Sequence, residues 1–203
     1  MAANPKFMDE KVISFKLNGN KIDAYGGETI LQAAKRNDIE IPHLCYKEGY
    51  RPDGNCRTCM VEIDGERVLA ASCCRQPSAG MEIKSDTERA QLSQKMVLEL
   101  LLSDMPKQGE SPYTLNSELD YWAKKLNVSN PRFEERIQPK SDLSHPAIAV
   151  NLDACIQCGR CVRACREEQV NDVIGFAYRG NHAKISFDMS EPLGESTCVA
   201  CGE

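Results

Sequence analysis

Cysteines are the residues of this 203-residue chain best suited to chemistry, and there are eleven of them. The first group is spaced C-x10-C-x2-C-x13-C and consists of Cys45, Cys56, Cys59 and Cys73. Its first gap contains Gly49 and Gly54, and such turn-forming residues let a backbone wrap closely around a compact anion. A [2Fe–2S] cluster needs four thiolates that converge on two irons. The spacing therefore predicts a [2Fe–2S] site.

The second group is spaced C-x2-C-x2-C-x3-C, the run that holds [4Fe–4S] clusters, and consists of Cys155, Cys158, Cys161 and Cys165. Its first three thiols can each bind a different iron of one cube, whereas the fourth ligates the neighbouring cube in two-cluster ferredoxins. Cys198 and Cys201 begin a second copy, and Glu203 ends the sequence before the copy is complete. We therefore expect one cube on the first three cysteines and another on Cys165, Cys198 and Cys201, each lacking one ligand within these residues.

Zinc is the alternative metal for both groups. A four-cysteine zinc site is usually built from two C-x2-C pairs, but the first group has only one such pair. In the second group, tetrahedral zinc has no use for a third thiol so near the second.

Several residues beside the cysteine groups receive no ligand role. Cys74 follows Cys73, and because consecutive residues of a strand point to opposite faces, only one of the two is expected to be a ligand. His43 is expected to pack or be solvated beside the cluster loop. His145 and His182 fit a linker and a turn.

Short strands and one helix are predicted to position the first group. Ile13, Phe15 and Leu17 alternate with polar residues before an Asn-Gly turn, which indicates a β-hairpin. A helix is expected from about Glu28 to Arg36. A second hairpin is expected from Met60–Ile63 and Arg67–Ala71 across an Asp-Gly turn. These elements predict a compact α+β domain over residues 11–88.

Helices are predicted to follow this domain. Ser85 and Glu88 have capping-box spacing, and Leu92, Met96 and Leu100 recur every four residues, which predicts an amphipathic helix over 86–103. A second helix is expected at Glu118–Leu126, and a polar linker at Asn127–Pro146. These residues form a connector over 89–146.

The last predicted domain covers residues 147–203. It contains the second cysteine group and a hairpin made of Val173–Tyr178 and Lys184–Phe187.

Composition excludes several classes of function. The net charge of −5 gives no basic footprint for nucleic acid. No apolar run approaches the roughly 20 residues of a membrane span, and the N-terminus lacks the features of a secretory signal. We therefore expect a cytoplasmic protein, in which paired cysteines indicate metal or redox chemistry rather than disulfides. The chain has no phosphate-binding glycine loop and no arrangement of nucleophile and base.

Three segments carry a resemblance to a known family. The segment IPHLCYKEGYRPDGNCRTCMVEIDGERVLAASC resembles the plant-type-like ferredoxin domain of NAD-dependent formate dehydrogenases, NAD-linked hydrogenases and respiratory complex I. The segments SHPAIAVNLDACIQCGRCVRACREEQVNDVIGFAYRG and STCVACGE look most like the molybdenum- or tungsten-dependent formate dehydrogenase alpha subunit. Cys73 matches the Ala-Ser-Cys position of that family, so Cys74 is the expected bystander.

The resemblance implies a fold and a set of clusters. We expect a β-grasp [2Fe–2S] ferredoxin domain, a helical connector, and an incomplete bacterial-type domain for two [4Fe–4S] clusters. Some relatives hold an extra cluster with a histidine and three cysteines after the first long helix. Here Met105 stands at the histidine's place and no cysteine follows before Cys155, so that cluster is expected to be absent.

The resemblance also implies a function. The chain would relay electrons from a distant formate-oxidising molybdenum or tungsten site to a flavin- and NAD-binding diaphorase subunit, and plant-type centres near about −400 mV suit NAD reduction. The family's catalytic residues belong to no position of this sequence, so the chain is expected to contribute to an enzyme without having a catalytic site. A free-standing polyferredoxin carrier and a zinc-stapled interaction module remain the alternatives.

Overall fold

The computed structural model describes residues 12–105, 117–129, 131–137 and 139–202. The chain divides into two compact units: the first unit is Met1–Tyr46 with Pro52–Val97, and the second unit is Lys47–Arg51 with Leu98–Glu203. Lys11 and Glu203, the outer bounds of the predicted domains, lie outside the described residues.

A five-stranded mixed sheet forms the first unit. Its order is β2-β1-β5-β3-β4, and the strands are β1 Ile13–Leu17, β2 Asn20–Ala24, β3 Met60–Ile63, β4 Ala70–Ala71 and β5 Glu82–Lys84. Strand β5 runs parallel to β1 and antiparallel to β3. The β1–β2 turn has positive φ at both Asn18 and Gly19, which is the geometry that a two-residue hairpin needs. Together with helix α1 (Ile30–Arg36), this is the predicted β-grasp arrangement.

Helix α1 ends at Arg36 as predicted, but it begins at Ile30 rather than at Glu28. The Thr29 side chain accepts from the Gln32 backbone, and the Gln32 side chain accepts from the Thr29 backbone, so a complete capping box starts the helix. The helix buries Ile30, Leu31 and two alanines in the core that also contains the sheet residues. Burial of an Ile or Leu side chain contributes about 1.5–3 kcal/mol. The loops that carry the cysteines therefore extend from a well-packed hydrophobic core.

Helix α2 spans Glu88–Asp104, close to the predicted range, but its start and its buried face differ from the prediction. Thr87 caps the helix by accepting from the Ala90 amide, whereas Ser85 exchanges hydrogen bonds with the Asn18 side chain. The predicted apolar face is exposed, since Leu92, Met96 and Leu100 are 58%, 41% and 46% accessible. The buried face contains Ala90, Gln94 and Leu98 instead.

Gln94 explains why a polar residue lies on the buried face of α2. Its side-chain amide donates to the carbonyl of Met60 at 2.9 Å and to that of Ser85 at 3.2 Å. Because both carbonyls would otherwise be buried without this donor, the amide is worth more here than another apolar group.

The second unit contains helix α3 (Glu118–Lys125), the short helix α4 (Arg160–Arg163) and the hairpin β6 (Ile174–Ala177) with β7 (Lys184–Phe187). Helix α4 continues into a π-helical turn, Ala164–Glu168. Val162, Cys165, Val173 and the two β7 residues Ile185 and Phe187 form its core. The helix predicted over Glu118–Leu126 and the hairpin are confirmed, whereas the second hairpin of the first unit is shorter than predicted because β4 has only two residues.

Two sets of polar contacts, around Asp142 and around Arg51, hold the irregular parts of the second unit. Burial opposes ionisation of Asp142, but hydrogen bonds from the Ser144 hydroxyl and from the amides of Leu193 and Ser144 outweigh it and lower the Asp142 pKa. Arg163 is buried and donates to the carbonyl of Arg51 at 2.5 Å, while Arg51 forms an ion pair with Glu167 at 2.7 Å. The segment Lys47–Arg51 is thereby fixed to α4 and the turn that follows it.

Within the described residues, no helix is both long and apolar enough to cross a membrane.

Candidate metal centres

The loop between α1 and β3 presents three of the four cysteines of the first group. Cys45 and Cys59 are buried and Cys56 is half-buried. Gly54 and Arg57 have positive φ on either side of Cys56, so the backbone turns back on itself there. Arg57 adopts this conformation without being a glycine, which indicates that the surrounding loop determines it.

The fourth cysteine reaches the same place from beyond β4. Cys73 is fully buried, and its thiol interacts with Cys45 and Cys59, which together with burial raise the Cys73 pKa. Cys56 and Cys73 donate to the Cys45 sulfur and lower the Cys45 pKa. Cys73 likewise lowers the pKa of Cys59, to about 7. The structure thus brings together all four sulfurs of the first group.

Backbone amides also point at these sulfurs. The Cys45 amide donates to the Cys56 sulfur at 3.4 Å, and the Asn55 amide helps to lower the Cys45 pKa. The Cys73 amide acts in the same way on Cys59. Amide donors stabilise negative charge on sulfur, which is the charge that a thiolate-bound cluster carries.

Cys74 lies outside the group of four, but not for the reason predicted from strand alternation. Strand β4 ends at Ala71, and residues 72–74 form a turn in which the Cys74 amide donates to the Ala71 carbonyl. The Cys74 side chain is exposed, and its sulfur lies 3.6 Å from the Cys73 sulfur. Strand geometry therefore cannot separate these two cysteines, whereas burial does.

Three cysteines of the second group also lie near one another. Cys158 acts electrostatically on both Cys155 and Cys161. Desolvation of the Cys161 thiol, followed by the effects of Cys158 and Cys155, raises the Cys161 pKa to about 12. Cys161 belongs to α4, and Cys155 and Cys158 lie in the loop before it.

The second unit repeats one backbone conformation at two of its C-x2-C pairs, Cys155 with Cys158 and Cys198 with Cys201. Gln157 and Gly159 have φ of 54° and 74°, and the corresponding Ala200 and Gly202 have φ of 51° and 78°. In each copy the amide two residues after the first cysteine donates to that cysteine, from Gln157 to Cys155 and from Ala200 to Cys198. The repeat found in the sequence is therefore a repeat of structure.

The remaining cysteines of the second unit are Cys165, Cys198 and Cys201, and their surroundings differ from one another. Cys165 is buried and its sulfur accepts from the Val173 amide at 3.3 Å. Cys155 and Cys198 both pack against the core cluster that contains Cys165. Cys201 is exposed. The predicted grouping of Cys165 with Cys198 and Cys201 stays a prediction.

The histidines have ordinary structural partners. The His43 ring contacts the Ile41 carbonyl at 2.8 Å and lies edge-on to Tyr46, and the His145 ring accepts from the Ala147 amide. Across the described part of the chain, no three or more His, Cys, Asp or Glu side chains form a group arranged to hold a single metal ion.

The donor sets fit iron–sulfur clusters. Four thiols converge in the first unit, amides donate to their sulfurs, and the buried hydroxyl of Thr58 makes no hydrogen bond with the described residues. Thr58 was missed at the sequence level, where its position between Cys56 and Cys59 was the available signal. The second unit supplies six further thiols, two of them in loops with amide-to-sulfur contacts.

Comparison with known families finds two domain matches. Residues 10–88 match the 2Fe-2S iron-sulfur cluster binding domain. Residues 145–200 match the ferredoxin-like domain of NADH-quinone oxidoreductase subunit 3.

Two curated relatives resemble nearly the whole chain. A formate dehydrogenase-like protein of Staphylococcus haemolyticus is 28% identical over 193 residues, covering 92% of this chain and 19% of the relative. The NADP-reducing hydrogenase subunit HndD of Solidesulfovibrio fructosivorans is 32% identical over 206 residues, covering 95% of this chain and 34% of the relative. The chain thus spans between a fifth and about a third of the length of these relatives.

A solved structure has a similar fold. The crystal structure of an NAD+-reducing [NiFe]-hydrogenase in its H2-reduced state aligns with a TM-score of 0.79 at 27% identity. The alignment covers 93% of this chain and 80% of the hydrogenase chain.

Proposed function

We propose that this chain is the electron-transfer region of a formate-oxidising enzyme. It matches a 2Fe-2S iron-sulfur cluster binding domain and the ferredoxin-like domain of NADH-quinone oxidoreductase subunit 3. A similar curated protein is formate dehydrogenase-like. The observation that carries this proposal is the convergence of four thiols in the first unit. Bound clusters would supply one-electron redox chemistry.

The proposed ligands are the cysteines that the sequence spacing groups together. Cys45, Cys56, Cys59 and Cys73 would hold one [2Fe–2S] cluster. Cys155, Cys158 and Cys161 would serve one [4Fe–4S] cluster, and Cys165, Cys198 and Cys201 a second. The chain's own contribution is to hold the thiols, to bury four of them and to direct amides at several of their sulfurs. These are the factors through which a protein sets a cluster's potential.

The relatives support a place for this relay in a larger enzyme. HndD is by name a subunit of an NADP-reducing hydrogenase, and the similar solved structure belongs to an NAD+-reducing hydrogenase. We assign this chain a flavin- and NAD-binding partner subunit and an electron source at a molybdenum or tungsten site that oxidises formate. A cytoplasmic location, where thiols stay reduced, suits this assignment.

Co-expression tests the proposed partner. Co-expressed with a flavin- and NAD-binding diaphorase subunit, the chain should co-purify with it, and NADH should then bleach the visible absorption of the chain's clusters. The chain alone, mixed with NADH, is the control and should not bleach. Co-purification without bleaching would contradict an electron path between the two.

A further inference from the structure

Thr58 is a buried hydroxyl at the centre of the first cysteine group. It lies between Cys56 and Cys59 and is 0% exposed. Its oxygen makes no hydrogen bond in the part of the chain that the structure describes. Buried hydroxyls are normally paired, so one that is not paired points to a group that binds beside it.

A second buried hydroxyl shows what pairing within the protein looks like. Ser72 is also 0% exposed and precedes Cys73, but its hydroxyl donates to the Cys59 carbonyl at 2.8 Å. Among the described residues, the Thr58 hydroxyl has no such acceptor.

Cys56 is the neighbour that Thr58 affects. The hydroxyl and the backbone amide of Thr58 both lie beside the Cys56 sulfur. The hydroxyl is therefore close to this sulfur but not aligned with it as a hydrogen-bond donor. A small movement of the sulfur upon binding iron, or a sulfide beside it, would supply the acceptor.

We propose that the Thr58 hydroxyl donates a hydrogen bond to sulfur at the Cys56 end of the [2Fe–2S] centre and thereby raises the reduction potential of that centre. This inference rests on the [2Fe–2S] assignment proposed above. Reduction adds negative charge to the sulfur atoms, and a hydrogen bond to a more negative acceptor is stronger. The donor therefore stabilises the reduced state more than the oxidised state.

Redox titration of the full chain, followed by the electron paramagnetic resonance of the reduced [2Fe–2S] centre, tests the proposal. Thr58→Val keeps the side-chain shape and removes the donor. We expect it to lower the equilibrium constant for one-electron reduction by about tenfold, which corresponds to about 59 mV. Thr58→Ser restores a hydroxyl and should return the potential close to that of the unchanged chain.

Ser85→Ala is the matched control, because Ser85 is a buried hydroxyl of the same unit whose partner is Asn18. It should leave the potential unchanged. An equal potential in the valine variant and the unchanged chain would overturn the proposal, as would a serine variant that shifts as far as the valine variant.

A second measurement does not depend on the valine variant assembling its cluster. Reconstituted in D2O, the unchanged chain should show a deuterium shift of an iron–sulfur stretching band in its resonance Raman spectrum that the Thr58→Ala variant lacks. Identical shifts in the two would overturn the proposal. A chain that binds no [2Fe–2S] cluster at all would instead refute the proposed function.

Discussion

At the scale of single residues, Cys73 and Cys74 give the clearest test of the proposed ligand set. They are neighbours in one turn with sulfurs 3.6 Å apart, yet Cys73 is buried among the other thiols and Cys74 is exposed. Cys73→Ser should therefore change the visible spectrum and lower the bound iron, whereas Cys74→Ser should leave both unchanged. Absorption spectra and iron analysis of the two variants check this. The reverse pattern would move the proposed ligand set by one residue.

Residue spacing identified the candidate ligands, but it could not supply their surroundings. The C-x2-C-x2-C-x3-C run and the quartet follow from which residue types bind iron and how far apart they lie. Strand alternation was a wrong reason for giving Cys74 no ligand role, because β4 ends two residues before Cys73. Thr58 was missed because the burial of its hydroxyl and the lack of a partner depend on tertiary packing, which a short sequence motif does not show.

At the scale of elements, α1 and α2 show where sequence patterns succeed and where they fail. The start of α1 is determined by contacts among four consecutive residues, so its capping box is readable from sequence. The buried face of α2 includes Gln94, whose acceptors are the carbonyls of Met60 on β3 and of Ser85 just before the helix. The periodicity of the helix does not show the distant Met60 carbonyl. The repeat of Leu92, Met96 and Leu100 therefore indicated a helix correctly but its buried face wrongly.

Substitutions on the two faces of α2 test this account. Gln94→Ala should destabilise the first unit by about 1–3 kcal/mol, because two buried carbonyls lose their donor. Leu92→Ala, at a position that is 58% exposed, should change the free energy of unfolding by no more than about 0.5 kcal/mol. Hydrogen exchange of the β3 and β5 amides measures both effects. A larger loss from Leu92→Ala than from Gln94→Ala would restore the apolar-face prediction.

At the scale of the whole molecule, two iron–sulfur domains succeed each other along one chain, and the sequence predicted both. Their order follows from local cysteine spacing, so it was accessible without a structure. The grouping of Lys47–Arg51 with the second unit could not be predicted from local spacing. Arg51 contacts Arg163 and Glu167, which are more than a hundred residues away in sequence.

The central claim is that this chain binds iron–sulfur clusters through its converging thiols, and one measurement tests it most directly. The full chain should be reconstituted anaerobically with iron and sulfide, analysed for both, and examined by electron paramagnetic resonance after reduction, beside its Cys45→Ser variant. We expect signals of a [2Fe–2S] centre and of [4Fe–4S] centres, with loss or alteration of the [2Fe–2S] signal alone in the variant. A colourless chain that takes up zinc in place of iron, or a [2Fe–2S] signal unaffected by the variant, would contradict the claim.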